Sequence, residues 1–151
     1  MLETVELERA RGEVFDAPNT PAQPFQRITE AERLKRRGEL TGPMAAAAER
    51  YAEDYALIHD ITRGRRLERL DLVARAKSLA NAKRTALQGH PSACMLMDRV
   101  CGRGERLGNI ARSKAHRGQL EALFARALKR LAIYYGFIVD WNNEARRPFA
   151  A

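Results

Sequence analysis

The sequence predicts an all-α fold: a compact multi-helix domain with a C-terminal helix-turn-helix-like pair and a flexible N-terminal arm. Three observations lead there. The composition leans toward Ala, Leu, Arg and Glu, residues that favour the helix or tolerate it at little entropic cost. Apolar residues recur at three- and four-residue steps over long stretches, and the stretches are bounded by capping and breaking residues. Strand-like alternating runs are nearly absent. At 151 residues the chain can bury one real core but has no room for a second enzyme-sized module. The expected organisation is an acidic, Pro-rich arm over 1–28, a helical domain over 29–141 and a tail over 142–151.

Within the arm, DAPNTPAQP places three prolines in a short span, removing backbone donors and blocking helix. Thr29 then opens a capping box, T-E-A-E, in which the Thr29 hydroxyl accepts from the Glu32 N–H and the Glu32 carboxylate reaches back. The helix should run to Arg37 and stop at Gly38. Thr41 is the next N-cap, with Pro43 tolerated in the first turn. From there Met44, Ala47 or Ala48, Tyr51, Tyr55 and Ile58 form a core stripe. A base-stacking platform from Tyr51 and Tyr55 is the alternative, but aromatics on such a stripe usually belong to the core.

The sequence ITRGRRLERL breaks the chain near Gly64, and Leu67 to Leu87 reads as one long helix. Its inward candidates are Leu70, Val73, Ala76, Leu79, Ala80 and Leu87. Arg66, Arg69, Arg75, Lys77, Lys83 and Arg84 fall on the other face. QGHP ends it, and Pro91 starts a helix whose apolar surface comes from Ala93, Met95, Leu96, Met97 and Val100, up to CGRG at 101–104. Two helices follow, over 105–114 and 118–135, with Gly136 as a left-handed cap. Beyond it, Phe137, Ile138, Val139 and Trp141 form an apolar cluster expected to fold back on the body.

The pair over 105–136 carries the main functional signal. A DNA-reading helix-turn-helix needs a positioning helix, a tight turn and a second helix with polar residues at its start and an apolar stripe behind. Leu107, Ile110 and Ala111 supply the first inner face; Leu120, Phe124, Ala127 or Leu128, Leu131 and Tyr135 supply the second. Between and beside them stand Arg103, Arg106, Arg112, Lys114, His116, Arg117 and Gln119, the candidate nucleic-acid-binding residues. Arg126, Lys129 and Arg130 lie further along. Aligned on Ala111, the motif finds Ala115 where glycine is usual and Glu121 where an aliphatic is expected. The segment is thus either a modified helix-turn-helix or a basic helical hairpin.

Other chemistries have less support. His90, Cys94, Cys101 and His116 do not follow the usual zinc spacing, and Cys94 and Cys101 on one helix stand about 10 Å apart at the α-helical rise. That is too far for a disulfide, so two buried free thiols are expected and no cofactor or metal is. The chain holds no G-x-S-x-G, H-E-x-x-H, P-loop or G-x-G-x-x-G motif, and an enzyme is not expected. The longest apolar stretch, Leu131 to Tyr135, cannot span a bilayer, and the first residues lack the pattern of a secretory signal. A cytoplasmic location with no membrane partner follows as the expectation.

Charge gives the direction of binding. Residues 1–30 hold three Lys/Arg against six Asp/Glu and residues 31–60 hold five against six, whereas residues 61–130 hold seventeen against five. Such a block is attracted to polyanions through counterion release, unless it is only a solvated basic surface. A continuous cationic face on the helix exteriors is the expected form.

Two groups of residues carry a family resemblance: Ala48-Glu49-Arg50-Tyr51 with Asp54-Tyr55, and Ala127-Leu128-Lys129-Arg130-Leu131-Ala132-Ile133-Tyr134-Tyr135-Gly136. Over residues 29–137 the chain resembles the small helical domain of alphaproteobacterial phage-related and gene-transfer-agent transcription regulators. The resemblance implies a regulator of phage-like late genes, an activator or an antiterminator. DNA, RNA polymerase and its elongation factors are the partners it implies. The alternative class is a phage DNA-packaging or structural DNA-recognition protein, which would assemble into a large ring.

Overall fold

The computed structural model describes residues 28–59 and 69–149, without the side chains of Arg69 and Leu70. The expected arm, apart from exposed Ile28, lies outside the described residues, as do the break at Gly64, Arg66 and Leu67. The described residues form six α-helices and no strand. None of these helices is long and apolar enough to cross a membrane.

Helix α1 (Glu30–Arg36) starts where the capping residue places it, the Thr29 Oγ1 accepting the Glu32 N–H at 3.1 Å. The Glu32 carboxylate turns to Arg36 instead of completing the box. At the other end Gly38 adopts φ +79°, so that the Gly38 and Glu39 N–H groups reach the Lys35 and Leu34 carbonyls. This closure satisfies carbonyls that a helix end would otherwise leave open.

Helix α2 (Gly42–His59) is the centre of the fold and packs on α3, α6 and the end of α4. Met44, Ala47, Ala48 and Tyr51 are buried and Tyr55 and Ile58 pack against them, as the stripe predicts. The same face buries an acid that periodicity did not suggest, Asp54. Arg75 donates to its Oδ1 at 2.6 Å, Ser78 to its Oδ2 at 3.1 Å, and Arg50 lies 3.6 Å away.

Helix α3 (Arg69–Asn81) continues into a π-helical turn over Ala82–Ala86. Its expected inner face requires correction. Val73, Ala76 and Ala80 are exposed; Leu79, Ala82, Ala86 and Leu87 are buried, and Arg75 and Ser78 face α2. Helix α4 (Pro91–Met97) likewise widens into a π turn over Asp98–Gly102. One residue from each π turn joins a polar bridge to α2: Lys83 lies 2.8 Å from Asp98, which accepts the Tyr51 hydroxyl at 2.6 Å. Burial, then the bond to Asp98, raises the Tyr51 phenol above its ordinary pKa and keeps it protonated as the donor.

Close packing decides the residue at the end of α4. A Cβ on Gly102 would stand 2.8 Å from the Tyr55 ring, inside any real contact distance. That ring stacks on His59 and its hydroxyl accepts from Arg103, so it is not free to withdraw. Gly102→Ala therefore costs about 1–3 kcal/mol through overpacking. Urea denaturation reads the loss, and Tyr55→Ala in the same chain should recover part of it; full stability in the single variant would disprove the clash.

Helix α5 (Leu107–Ile110) is a single turn and not the longer helix expected over 105–114, while α6 (Lys114–Tyr134) starts earlier than expected. Ala111 to Ser113 link them. Along α6, Leu120, Phe124, Ala127, Leu128 and Leu131 are buried as predicted.

The tail docks by a different residue than the sequence suggested. Val139 and Trp141 are exposed, Phe137 is largely so, and only Ile138 of that cluster packs on the core. Phe149 is buried instead, between His90, Arg126 and Arg130. Gln88 holds the strand-like end on both sides, donating to the Arg147 carbonyl and accepting from the Phe149 N–H, each at 2.8 Å. Buried Arg130 faces the Ala145 and Pro148 carbonyls, and desolvation lowers its pKa. The tail thus belongs to the domain.

Candidate nucleic-acid interface

A polyanion is attracted by cations that are both exposed and without local carboxylates. The seven candidate residues divide on that criterion. Arg103 donates to the Tyr55 hydroxyl at 3.4 Å and has Glu105 at 3.9 Å. Arg106 lies 3.5 Å from the buried Glu30 carboxylate, tying the α4–α5 link to α1. Arg117 pairs with Glu121 one turn on, at 3.4 Å, and lies over Gly108. These three serve intramolecular pairs.

Arg112 and Lys114 are different. Both are exposed, and among the described residues neither has a carboxylate within ion-pair distance. They flank Ser113, the N-cap of α6, whose Oγ accepts the His116 N–H at 3.1 Å. His116 returns the contact: its Nδ1 accepts the Arg112 N–H at 3.0 Å. This reciprocal cap fixes the chain entering α6 and leaves Nε2 as the protonated nitrogen of a neutral ring. Gln119 is exposed one turn on. The entry and first turns of α6 therefore present two cations, an imidazole N–H and an amide, with Arg112 on the link and the other three on the helix.

The continuous cationic face expected from charge alone is corrected by these pairings. Arg75, Lys83, Arg99, Arg106, Arg117 and Lys129 each lie within ion-pair distance of an Asp or Glu, and Arg130 is buried. Exposed cations without a carboxylate partner among the described residues are therefore scattered: Lys35 on α1, Lys77 and Arg84 on α3 and its π turn, Arg146 and Arg147 in the tail, and Arg112 with Lys114, which stand together at the entry to α6.

A feature outside the sequence candidates adjoins it. An open groove of about 630 Å³ runs between the start of α4 and α6, lined by His90, His116, Gln119, Leu120, Leu123 and Arg126 among others. His90 caps α4 through Nδ1, which accepts the Ala93 N–H at 3.2 Å. Its part in the groove had a weak sequence signal, the histidine just before Pro91.

The cysteines do not add chemistry. Both are free and half-buried, less enclosed than expected, and burial raises each thiol above the ordinary range. A thiol so shifted is a poor nucleophile at neutral pH.

Fold and interface together define an all-α chain with a cationic helix start. The chain matches no family model, no curated protein and no solved structure.

Proposed function

We infer that this protein is a non-enzymatic transcription regulator of phage-like or gene-transfer-agent late genes. It binds DNA through the start of α6 and acts on RNA polymerase there, as an activator or an antiterminator. The observation that carries the DNA part is the pair Arg112 and Lys114, exposed beside the α6 N-cap without a carboxylate partner among the described residues. A helix start of this kind favours phosphate by its unsatisfied N–H groups and by its dipole, while His116 and Gln119 offer donors suited to base edges. The polymerase part is supported by the family resemblance of the Tyr51 and Tyr135 segments.

Duplex binding by the full chain, followed by fluorescence anisotropy across salt concentrations, tests the reading. Replacing Arg112 and Lys114 by Gln should lower the log–log salt slope by about two and weaken binding to all sequences alike. An unchanged slope would remove the assigned face. Capture of polymerase from a nuclease-treated bacterial lysate tests the second half, and polymerase lost on nuclease treatment counts against direct contact.

A further inference from the structure

The groove between α4 and α6 has a composition that duplex binding does not call for. Its rim carries donors, the two imidazoles of His90 and His116, the Gln119 amide and the Arg126 guanidinium, with exposed Ser92 and Ala122 beside them. In both imidazoles Nδ1 is occupied by a backbone N–H, so in the neutral ring each proton sits on Nε2. No Asp or Glu lines the groove among the described residues, and its floor includes Leu120 and Leu123. A duplex backbone offers phosphates to the rim but nothing to an apolar floor, because its bases stay stacked. An unpaired nucleotide offers both: a flat base for the floor, and a phosphate for the rim. Imidazole and guanidinium planes also stack on bases. Arg126 is held for that use, since its guanidinium lies 5.6 Å from the Phe149 ring centre and, among the described residues, has no carboxylate partner.

The geometry points to this groove as a binding site for an unpaired nucleotide of a single-stranded nucleic acid, with the base on Leu120 and Leu123 and the phosphate met by Arg126 and the histidine Nε2–H groups. The site rests on the reading above only for the class of ligand; its residues, apart from His116 and Gln119, are not those of the duplex face. A protein that meets both a duplex and an opened strand would sit at the edge of a melted region.

The test uses the full chain with His90→Asn and Arg126→Gln together. Asn keeps an acceptor for the α4 cap, and Gln keeps most of the Arg stem. Affinity for a labelled single-stranded oligodeoxynucleotide should fall about tenfold, the order expected from losing one well-held base, while affinity for a blunt duplex changes less than about twofold. Arg112→Gln with Lys114→Gln should weaken the duplex more than the single strand. Titration of the wild type with a deoxynucleoside monophosphate should shift the side-chain nitrogen signals of His90 and His116 in proton–nitrogen spectra.

Equal single-strand affinity in the groove variant overturns the site and leaves the duplex face standing. Loss of the duplex face with groove binding retained does the reverse. Gln88→Ala releases the tail's two hydrogen bonds while leaving the Phe149 ring and every groove donor in place, and should keep single-strand affinity. A loss there as large as in the groove variant would assign the effect to the tail and overturn the proposal, as would a wild type that binds no single strand.

Discussion

Asp54→Ala should destabilise the protein by about 3 kcal/mol, the low end of what breaking a buried ion pair costs. The Asp54 side chain is fully buried on α2 and, among the described residues, is the sole acceptor for the Arg75 and Ser78 side chains that α3 turns toward it. Removing the carboxylate strands its donors unequally. Arg75, with a side chain 36% exposed, can rotate toward water. Arg50, with a side chain 41% exposed, keeps its terminal nitrogens near water, but its Nε is buried without a hydrogen-bond acceptor among the described residues and its guanidinium lies 4.9 Å from the Tyr135 ring centre. The carboxylate is what balances that charge. Asp54→Asn keeps the volume and an oxygen for Ser78 but not the charge, so it should lie between alanine and the wild type. Thermal or urea denaturation measures both. An alanine variant within about 1 kcal/mol of the wild type would mean that the charges are solvated after all, and that α3 is held to α2 by its apolar contacts alone.

The same acid explains what the sequence made legible and what it hid. Helix ends were readable because caps are local: Thr29, Gly38 and Gly136 act within a few residues of themselves. The stripes of α2 and α6 were readable because their buried residues are apolar and keep the helical step. In α3 the step misled, because Val73, Ala76 and Ala80 are as periodic as a core face, yet Asp54 requires Arg75 and Ser78 there. A polar pair between separate helices leaves no periodic trace in either. The π turn over Ala82–Ala86 adds to this, since it changes the angular phase of every residue after it. The tail was only partly legible for a related reason: of its nearest apolar cluster Ile138 packs on the core but Phe137, Val139 and Trp141 are exposed, whereas Phe149 is held by Gln88 and two arginines far away in sequence.

The candidate interface divides in the same way. Arg112, Lys114, His116 and Gln119 were legible because they crowd one helix start. That Arg106 belongs to Glu30 was not, because Glu30 enters from the opposite end of the domain. Nor was the groove, whose donors His90 and Arg126 come together only when α4 and α6 pack. Net charge measured how many cations the chain holds, but only pairing decides which of them a polyanion meets.

Phe124→Ala should be the most damaging single change on α6, lowering stability by about 3–5 kcal/mol. Phe124 is completely buried on the helix that packs against α2, α4 and the π turn after α3. Truncating it removes a large apolar ring from a layer that includes Leu120, Ala127, Leu128 and Leu131, and rigid helices on three sides cannot close the void. The melting temperature should fall by roughly 10 to 20 °C. Because Phe124 faces the core while Lys114 and Gln119 on the same helix, and Arg112 just before it, face solvent, the proposed DNA affinity measured well below that melting temperature should stay within about twofold of wild type. Phe124→Leu, which refills part of the space, should recover about half of the lost stability. A folded alanine variant that has lost DNA binding would show that the cationic start of α6 depends on strain carried along the helix from its core, and the separation of the two faces would have to be given up.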